Sequence, residues 1–330
     1  MNIRAITLSN FNLSSNLNEL THAEMFFSPW EYPINSWEDA NKIPNDIKNY
    51  LPNKRLLVWK GVNSVEFALH STLHRSIQRC NLPMTEKQTQ KTENQLLAML
   101  RTNVGYSKMN SLEIISSIQH YGGDSRLIDV SKDFYVALWF ACEIYTKKIY
   151  PFSDARLYAF DISNRWLNFT QYQNLFELPW NKFPHVLNKH WQLDQPYFWD
   201  FQDGNERMNA QKAGFLLGGL PKIGKGRNSR YRKNPNYRNI RERWNVQEVH
   251  RATSVNLYLH TYGRKVRKNS YPSFVFRINH EARTEILEKL DLLHGINHQT
   301  LFPDSAGIGK FATLDNLKIF MNNLKLGNHL

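Results

Sequence analysis

Gln119-His120-Tyr121-Gly122-Gly123-Asp124-Ser125-Arg126-Leu127-Ile128-Asp129-Val130-Ser131, running on to Ala137-Leu138-Trp139-Phe140-Ala141, places a cluster of polar side chains in a short turn between two apolar segments. Ile114, Ile115 and Ile118 precede the turn at helical spacing, after Asn110 with Glu113 three residues on as a capping partner. Gly122-Gly123 stops that helix. Ser131 or Asp133 can cap the next, whose face is Ala137, Leu138, Ala141 and Tyr145. Polar groups held between two rigid elements can be aimed at a ligand, which is how binding and catalytic sites are commonly built.

Working outward, 330 residues with 41% apolar content can bury a large core, as one elaborated domain or two small ones. The 9 Trp, 15 Tyr and 19 Phe suggest aromatic packing together with some exposed stacking surfaces. Cys80 and Cys142 are the two cysteines, and the longest apolar run, Phe134 to Cys142, is far short of the roughly 18 residues of a membrane span. A soluble, cytoplasmic protein is expected, with no membrane partner.

Residues 1–53 are aromatic and irregular, with prolines at 29, 33 and 44 that point to short helices, and form a lead-in layer before a second unit, 54–330. Leu56-Leu57-Val58-Trp59 reads as a buried strand with Lys60 at its mouth; 156–162, 213–217 and 273–278 read as further strands. Leu96, Leu97, Leu100 and Val104 recur at helical spacing, and 281–293 is an amphipathic helix closed by Gly295. Residues 166–203 read as a long packed loop with short helices. The expected class is α+β, a mixed or antiparallel sheet flanked by helices.

The charge is uneven. Between Lys222 and Lys268 there are 14 Lys/Arg against Glu242 and Glu248, leaving 28 basic and 27 acidic residues elsewhere. This basic insertion, 222–268, carries Arg227, Arg230, Arg232, Lys233, Arg238, Arg241 and Arg243. Tyr231, Tyr237, Trp244, Tyr258 and Tyr262 are interleaved with its charges, which suits phosphate neutralisation with base stacking; a solvated loop or a surface for an acidic protein partner fits the same composition. His70 and His74 have the spacing of a zinc helix, but no glutamate follows His70 and no third ligand is evident, so no metal is expected.

Several blocks together resemble the FRG domain, a mainly bacterial family named for a Phe-Arg-Gly tripeptide. Trp59-Lys60-Gly61 stands at the tripeptide, Ser71-Thr72-Leu73-His74-Arg75 at a Ser-Leu-x-Arg block, and Glu93 at an acid on the next helix. Gln119 to Gly122 and Ser125 to Asp129 match Gln-His-Tyr-Gly and Thr-Arg-Leu-Leu-Asp. Arg207 to Phe215 resembles Arg-x-x-x-Gln-x-Gly-x-Phe, and Leu301-Phe302-Pro303-Asp304 resembles Leu-Phe-Pro-Asp. Lys60 replaces the family arginine, a point charge for a planar fork, and Gly123-Asp124 replaces Leu-Pro.

The resemblance extends distantly to ADP-ribosyltransferases and implies an ADP-ribosyltransferase-like core, NAD as cofactor, and an effector of toxin or anti-phage type. Gly214 stands where that superfamily would place a catalytic glutamate. The resemblance implies a cavity in which Lys60, Arg75, Gln119, Tyr121, Ser125 and Arg126 bind ligand, while His120, Asp129 and Gln211 assist chemistry. Arg126 with Asp129 can be a ligand-facing pair or a salt bridge pinning the turn, and His120 a general base or a packing residue. The rival is a non-catalytic nucleic-acid-binding or ligand-sensing protein, and a third reading is a metal-free nuclease.

Overall fold

The computed structural model describes residues 21–52, 55–143, 153–167, 176–182, 191, 196–201, 206–222, 231–233 and 242–304. Its strands are β1 (Glu31–Ile34), β2 (Leu57–Val62), β3 (Ile128–Ser131), β4 (Ala155–Asp161), β5 (Trp166–Leu167), β6 (Tyr197–Trp199), β7 (Ala213–Leu217) and β8 (Ser273–Ile278). They form one sheet in the order β1-β8-β4-β2-β3-β7-β6-β5. Pairing is antiparallel except in the two outermost pairs, β1–β8 and β5–β6, which are parallel. The helices are α1 (His22–Phe27), α2 (Trp37–Tyr50), α3 (Thr72–Arg79), α4 (Glu86–Leu100), α5 (Ser111–His120), α6 (Phe134–Cys142), α7 (Glu206–Ala210), α8 (Val246–Ala252), α9 (Arg283–His294) and α10 (His298–Leu301). The α+β class with a mixed sheet is therefore observed. Among the described residues no helix is long and apolar enough to cross a membrane.

Strand alternation builds the core on both faces. From β4, Leu157 and Ala159 join α2, α6 and α9 on one side, while Tyr158 and Phe160 join residues of α1 and α8 on the other. A third cluster packs Leu97, Ile114, Ile115 and Ile118 against Trp199, Phe215 and Leu217 at the far end of the sheet. Residues 21–52 contribute to the same structure: β1 extends the sheet, and Trp37, Ala40, Ile43 and Ile47 of α2 are buried in its core.

The caps are set locally. Asn110 and Glu113 form a reciprocal capping box on α5, Asp133 caps α6, and Gly295 closes α9 with φ +61°. Elsewhere the structure corrects the sequence expectations. α2 runs 14 residues straight through Pro44; its Ser36 cap and four buried side chains outweigh the roughly 3 kcal/mol that an internal proline costs. Val104 lies beyond α4 and is 90% exposed, because the helix ends at Leu100. The region 166–203 contains two strands, β5 and β6, as well as a 3-10 turn at Pro179–Lys182. Lys60 and Gly61 lie inside β2 instead of ending it.

The feature that opens a site is a parting of the sheet. β2 is in register with β4 along its whole length, and β3 with β7, but β2 meets β3 only at Trp59–Ser131. Past that pair residues 60–62 and 128–130 do not pair with each other. α6 bridges β2 from one face, and Gly61 sets its distance. A Cβ built on Gly61 falls 2.0 Å from the Ala137 carbonyl oxygen and 2.4 Å from the Ala141 nitrogen. Both obstacles are helix backbone and cannot rotate away. Gly61→Ala should therefore destabilise the protein by about 3 kcal/mol, the upper end of the usual overpacking cost; urea unfolding monitored by tryptophan fluorescence checks this.

Candidate functional site

A cavity of about 810 Å³ occupies the parting. Segments remote in sequence meet there: Lys60 from β2, Arg75 from α3, Gln119 from the last turn of α5, Asp129 from β3, and Arg207 and Gln211 from α7 and the turn after it. Phe140 and Phe302 add apolar wall.

Lys60 is half-buried, and its side-chain ammonium makes no hydrogen bond or ion pair with any described residue. Burial draws its pKa below the ordinary lysine range and the Arg75 charge adds to this, while Asp129 opposes it. An anion entering the cavity would relieve both penalties. Arg75 donates from Nη1 to the His70 carbonyl at 2.8 Å, which fixes the guanidinium beside the opening.

Asp129 is held by a chain of hydrogen bonds. Ser125 Oγ donates to Gln119 Oε1 at 2.7 Å, which fixes the amide orientation, and Gln119 Nε2 donates to Asp129 Oδ2 at 3.0 Å. The other carboxylate oxygen accepts from no described residue, and Asp129 is exposed on the cavity wall. Thr72 Oγ1 accepts from the Ser125 amide at 2.9 Å, tying the chain to the start of α3.

Arg126 does not line the cavity, contrary to its assignment as a ligand-binding residue paired with Asp129. It is 1% exposed and grips Glu93 through two bonds of 2.6 Å and Glu86 through one of 2.8 Å. Its guanidinium carbon lies 5.1 Å from the Trp180 ring centroid and 5.6 Å from that of Trp191. Trp180 Nε1 donates to Glu93 at 2.9 Å and the Leu220 amide to Glu86 at 3.0 Å. Burial alone would lower the Arg126 pKa, but the two carboxylates outweigh it and raise it. This is a structural pin beneath the turn.

The remaining candidates divide. Ser125 is buried and acts through Gln119. Tyr121 is 79% exposed and is not among the cavity-lining residues. His120 ends α5, and its side chain lies outside the described residues. Gln211 lines the cavity, but its amide donates to the Leu301 carbonyl at 3.0 Å, so at least one donor is engaged in holding the C-terminal block. Arg207 likewise pairs with Asp304 at 2.6 Å. Gly214 is filled over by Phe198: a Cβ there would lie 2.5 Å from the ring, so no carboxylate fits without displacing it.

Sequence reasoning missed Glu143, which lines the cavity from the end of α6 and whose pKa is raised by burial. Its one signal was that it ends the apolar run. His70 and His74 are engaged internally, His70 Nε2 donating to the His250 carbonyl at 2.7 Å and His74 Nδ1 bonded to Ser71 Oγ at 2.7 Å. Of the basic residues proposed for nucleic acid, Arg232 and Arg243 are exposed and Lys233 pairs with Glu242 at 2.6 Å; Arg227, Arg230, Arg238 and Arg241 lie outside the described residues.

Glu93→Ala should cost about 3 kcal/mol in thermal or urea unfolding, the lower end for breaking a buried pair, because it removes two of the three carboxylate bonds of Arg126 and the acceptor of Trp180 Nε1 while Glu86 keeps its own bond to the guanidinium. Burial lowers the His70 pKa from 6.5 to about 4. A depressed histidine contributes stability that is complete above the unfolded value and is lost as pH falls toward the folded one, so at pH 5 this group alone should remove about 2 kcal/mol. His70→Gln should lose correspondingly less stability between pH 7 and pH 5 than the parent, as measured by urea titrations.

No curated protein and no solved structure matches the chain. Residues 55–149, which carry Trp59-Lys60-Gly61, Glu93 and the Gln119 to Asp129 block, match the family model described as the FRG domain, and the chain therefore contains an FRG domain.

Proposed function

We propose that the cavity between β2 and β3 binds an anionic, nucleotide-like ligand, with NAD as the candidate, and that the protein is an intracellular effector of toxin or anti-phage type with ADP-ribosyltransferase-like activity. The observation that carries this is Lys60, a half-buried cation without a described ion-pair partner, beside Arg75 on the wall of a cavity large enough for a dinucleotide. A buried ammonium is costly until it meets an opposite charge, and a diphosphate supplies one.

In this reading Lys60 and Arg75 neutralise the diphosphate, and Phe140 and Phe302 offer apolar contact to a ring. Asp129, oriented by Gln119, accepts a hydrogen bond from a ribose hydroxyl. Its negative charge stabilises the positive charge that develops on the ribose as its bond to nicotinamide breaks, the bonding pair leaving with nicotinamide and an acceptor nucleophile taking its place. Asp129 thus serves where Gly214 leaves no room for a carboxylate.

A second reading rests on that same Gly214. A cavity with no carboxylate on β7 suits a ligand sensor that binds without turnover.

The test is thermal shift and calorimetry with NAD and ADP-ribose, followed by nicotinamide-release assays. Lys60→Ala should weaken binding at least about tenfold, the worth of one charge-assisted hydrogen bond to phosphate. Asp129→Asn should retain binding and lose nicotinamide release. Absence of binding by either compound to the parent protein overturns the proposal, and binding with no release selects the sensor.

A further inference from the structure

The basic insertion divides into an inward and an outward face. Tyr231 and Trp244 are 5% and 7% exposed, packed on Phe26 at ring distances of 5.2 and 5.8 Å, and the Tyr231 hydroxyl donates to Asn256 Oδ1 at 2.7 Å. Tyr262 is 8% exposed, against Tyr32 and Phe276. The expectation that these aromatics present stacking surfaces is corrected for all three; Tyr258 is 41% exposed, and Tyr237 lies outside the described residues. Their apolar area fixes the feet of the segment in the core.

Between those feet the chain pairs with itself. Arg232 and Arg243 form an antiparallel bridge, and the Trp244 amide donates to the Tyr231 carbonyl at 3.0 Å. Directly opposed residues of an antiparallel pair project to the same face, and like charges there destabilise the pairing. The two acidic residues of the insertion are engaged locally, Glu242 with Lys233 and Glu248 in the capping box of α8. Nine of the insertion's 14 basic residues are arginines. Guanidinium forks match phosphate oxygens bidentately.

We propose that the exposed face bearing the opposed Arg232 and Arg243 grips the phosphate backbone of nucleic acid and does not read its bases. A protein interface of useful strength carries an apolar or aromatic centre, and here the described aromatics at the feet face inward. What faces outward at the bridge is charge. The inference is independent of the cavity reading, because it uses none of the cavity's residues.

Fluorescence anisotropy with labelled oligonucleotides of unrelated sequence, single-stranded and duplex, tests it across a salt series. The parent should bind all of them with similar affinity and steep salt dependence. The Arg232→Gln/Arg243→Gln double variant should bind about tenfold more weakly, with a slope of log affinity against log salt shallower by roughly two, one for each arginine that no longer neutralises a phosphate. Both side chains are exposed, and removing their mutual repulsion does not weaken the bridge, so the variant should keep the parental circular dichroism and melt no lower than the parent. Three outcomes overturn the proposal: no binding at low salt, an unchanged slope in the folded variant, or displacement of the oligonucleotide by poly-glutamate at equal charge concentration, which would assign the surface to acidic proteins. A strong preference for one sequence overturns the backbone-only grip.

Discussion

The buried clasp of Arg126 on Glu93 and Glu86 is the interaction on which the site depends. It joins the turn before β3 to α4 and to the indole pair Trp180 and Trp191, whose rings stack at 6.0 Å. A guanidinium in that position without its carboxylates would be an uncompensated charge in the core, so the three groups must be assembled together. Once Arg126 is fixed, its neighbour Ser125 is fixed as well. Ser125 sets the amide of Gln119, and Gln119 sets the carboxylate of Asp129. Rigidity thus passes from a salt bridge that touches no cavity surface to a side chain that does.

The second constraint is steric. Gly61 lets α6 sit directly on β2, and Gly214 lets Phe198 sit directly on β7. These strands flank the parting of the sheet, β2 on one border and β7 behind β3 on the other. The C-terminal block closes the remaining side: Arg207 holds Asp304, Gln211 holds the Leu301 carbonyl, and Phe302 packs between Arg207 and Phe140. Most polar residues around the cavity therefore serve architecture. Lys60 is a cation on the wall whose ammonium has neither a hydrogen bond nor an ion pair among the described residues.

Periodicity and capping made much of the secondary structure legible. The capping box of α5, the Asp133 cap, the glycine closing α9 and the strands β4, β7 and β8 are local patterns, and their causes lie within a few residues. Where the determinant was distant, local reading failed. Pro44 points to a short helix, yet packing of α2 on the sheet carries the helix through it. The charges interleaved with Tyr231 and Trp244 suit base stacking, yet both rings are buried against Phe26, some two hundred residues earlier in the chain.

By itself the sequence determined the α+β class, the motif blocks that resemble the FRG domain, of which residues 55–149 match the family model, and the concentration of positive charge in one insertion. Those follow from spacing and composition, which are local or additive. Only the tertiary structure decided that Lys60, Arg75 and Asp129 share a cavity while Arg126 lies beneath it. Arg126 and Asp129 are three residues apart, and both could have faced a ligand. The partners that separate them, Glu93 on α4 for one and Gln119 on α5 for the other, are chosen by how helices pack on the sheet, which no short window of sequence contains.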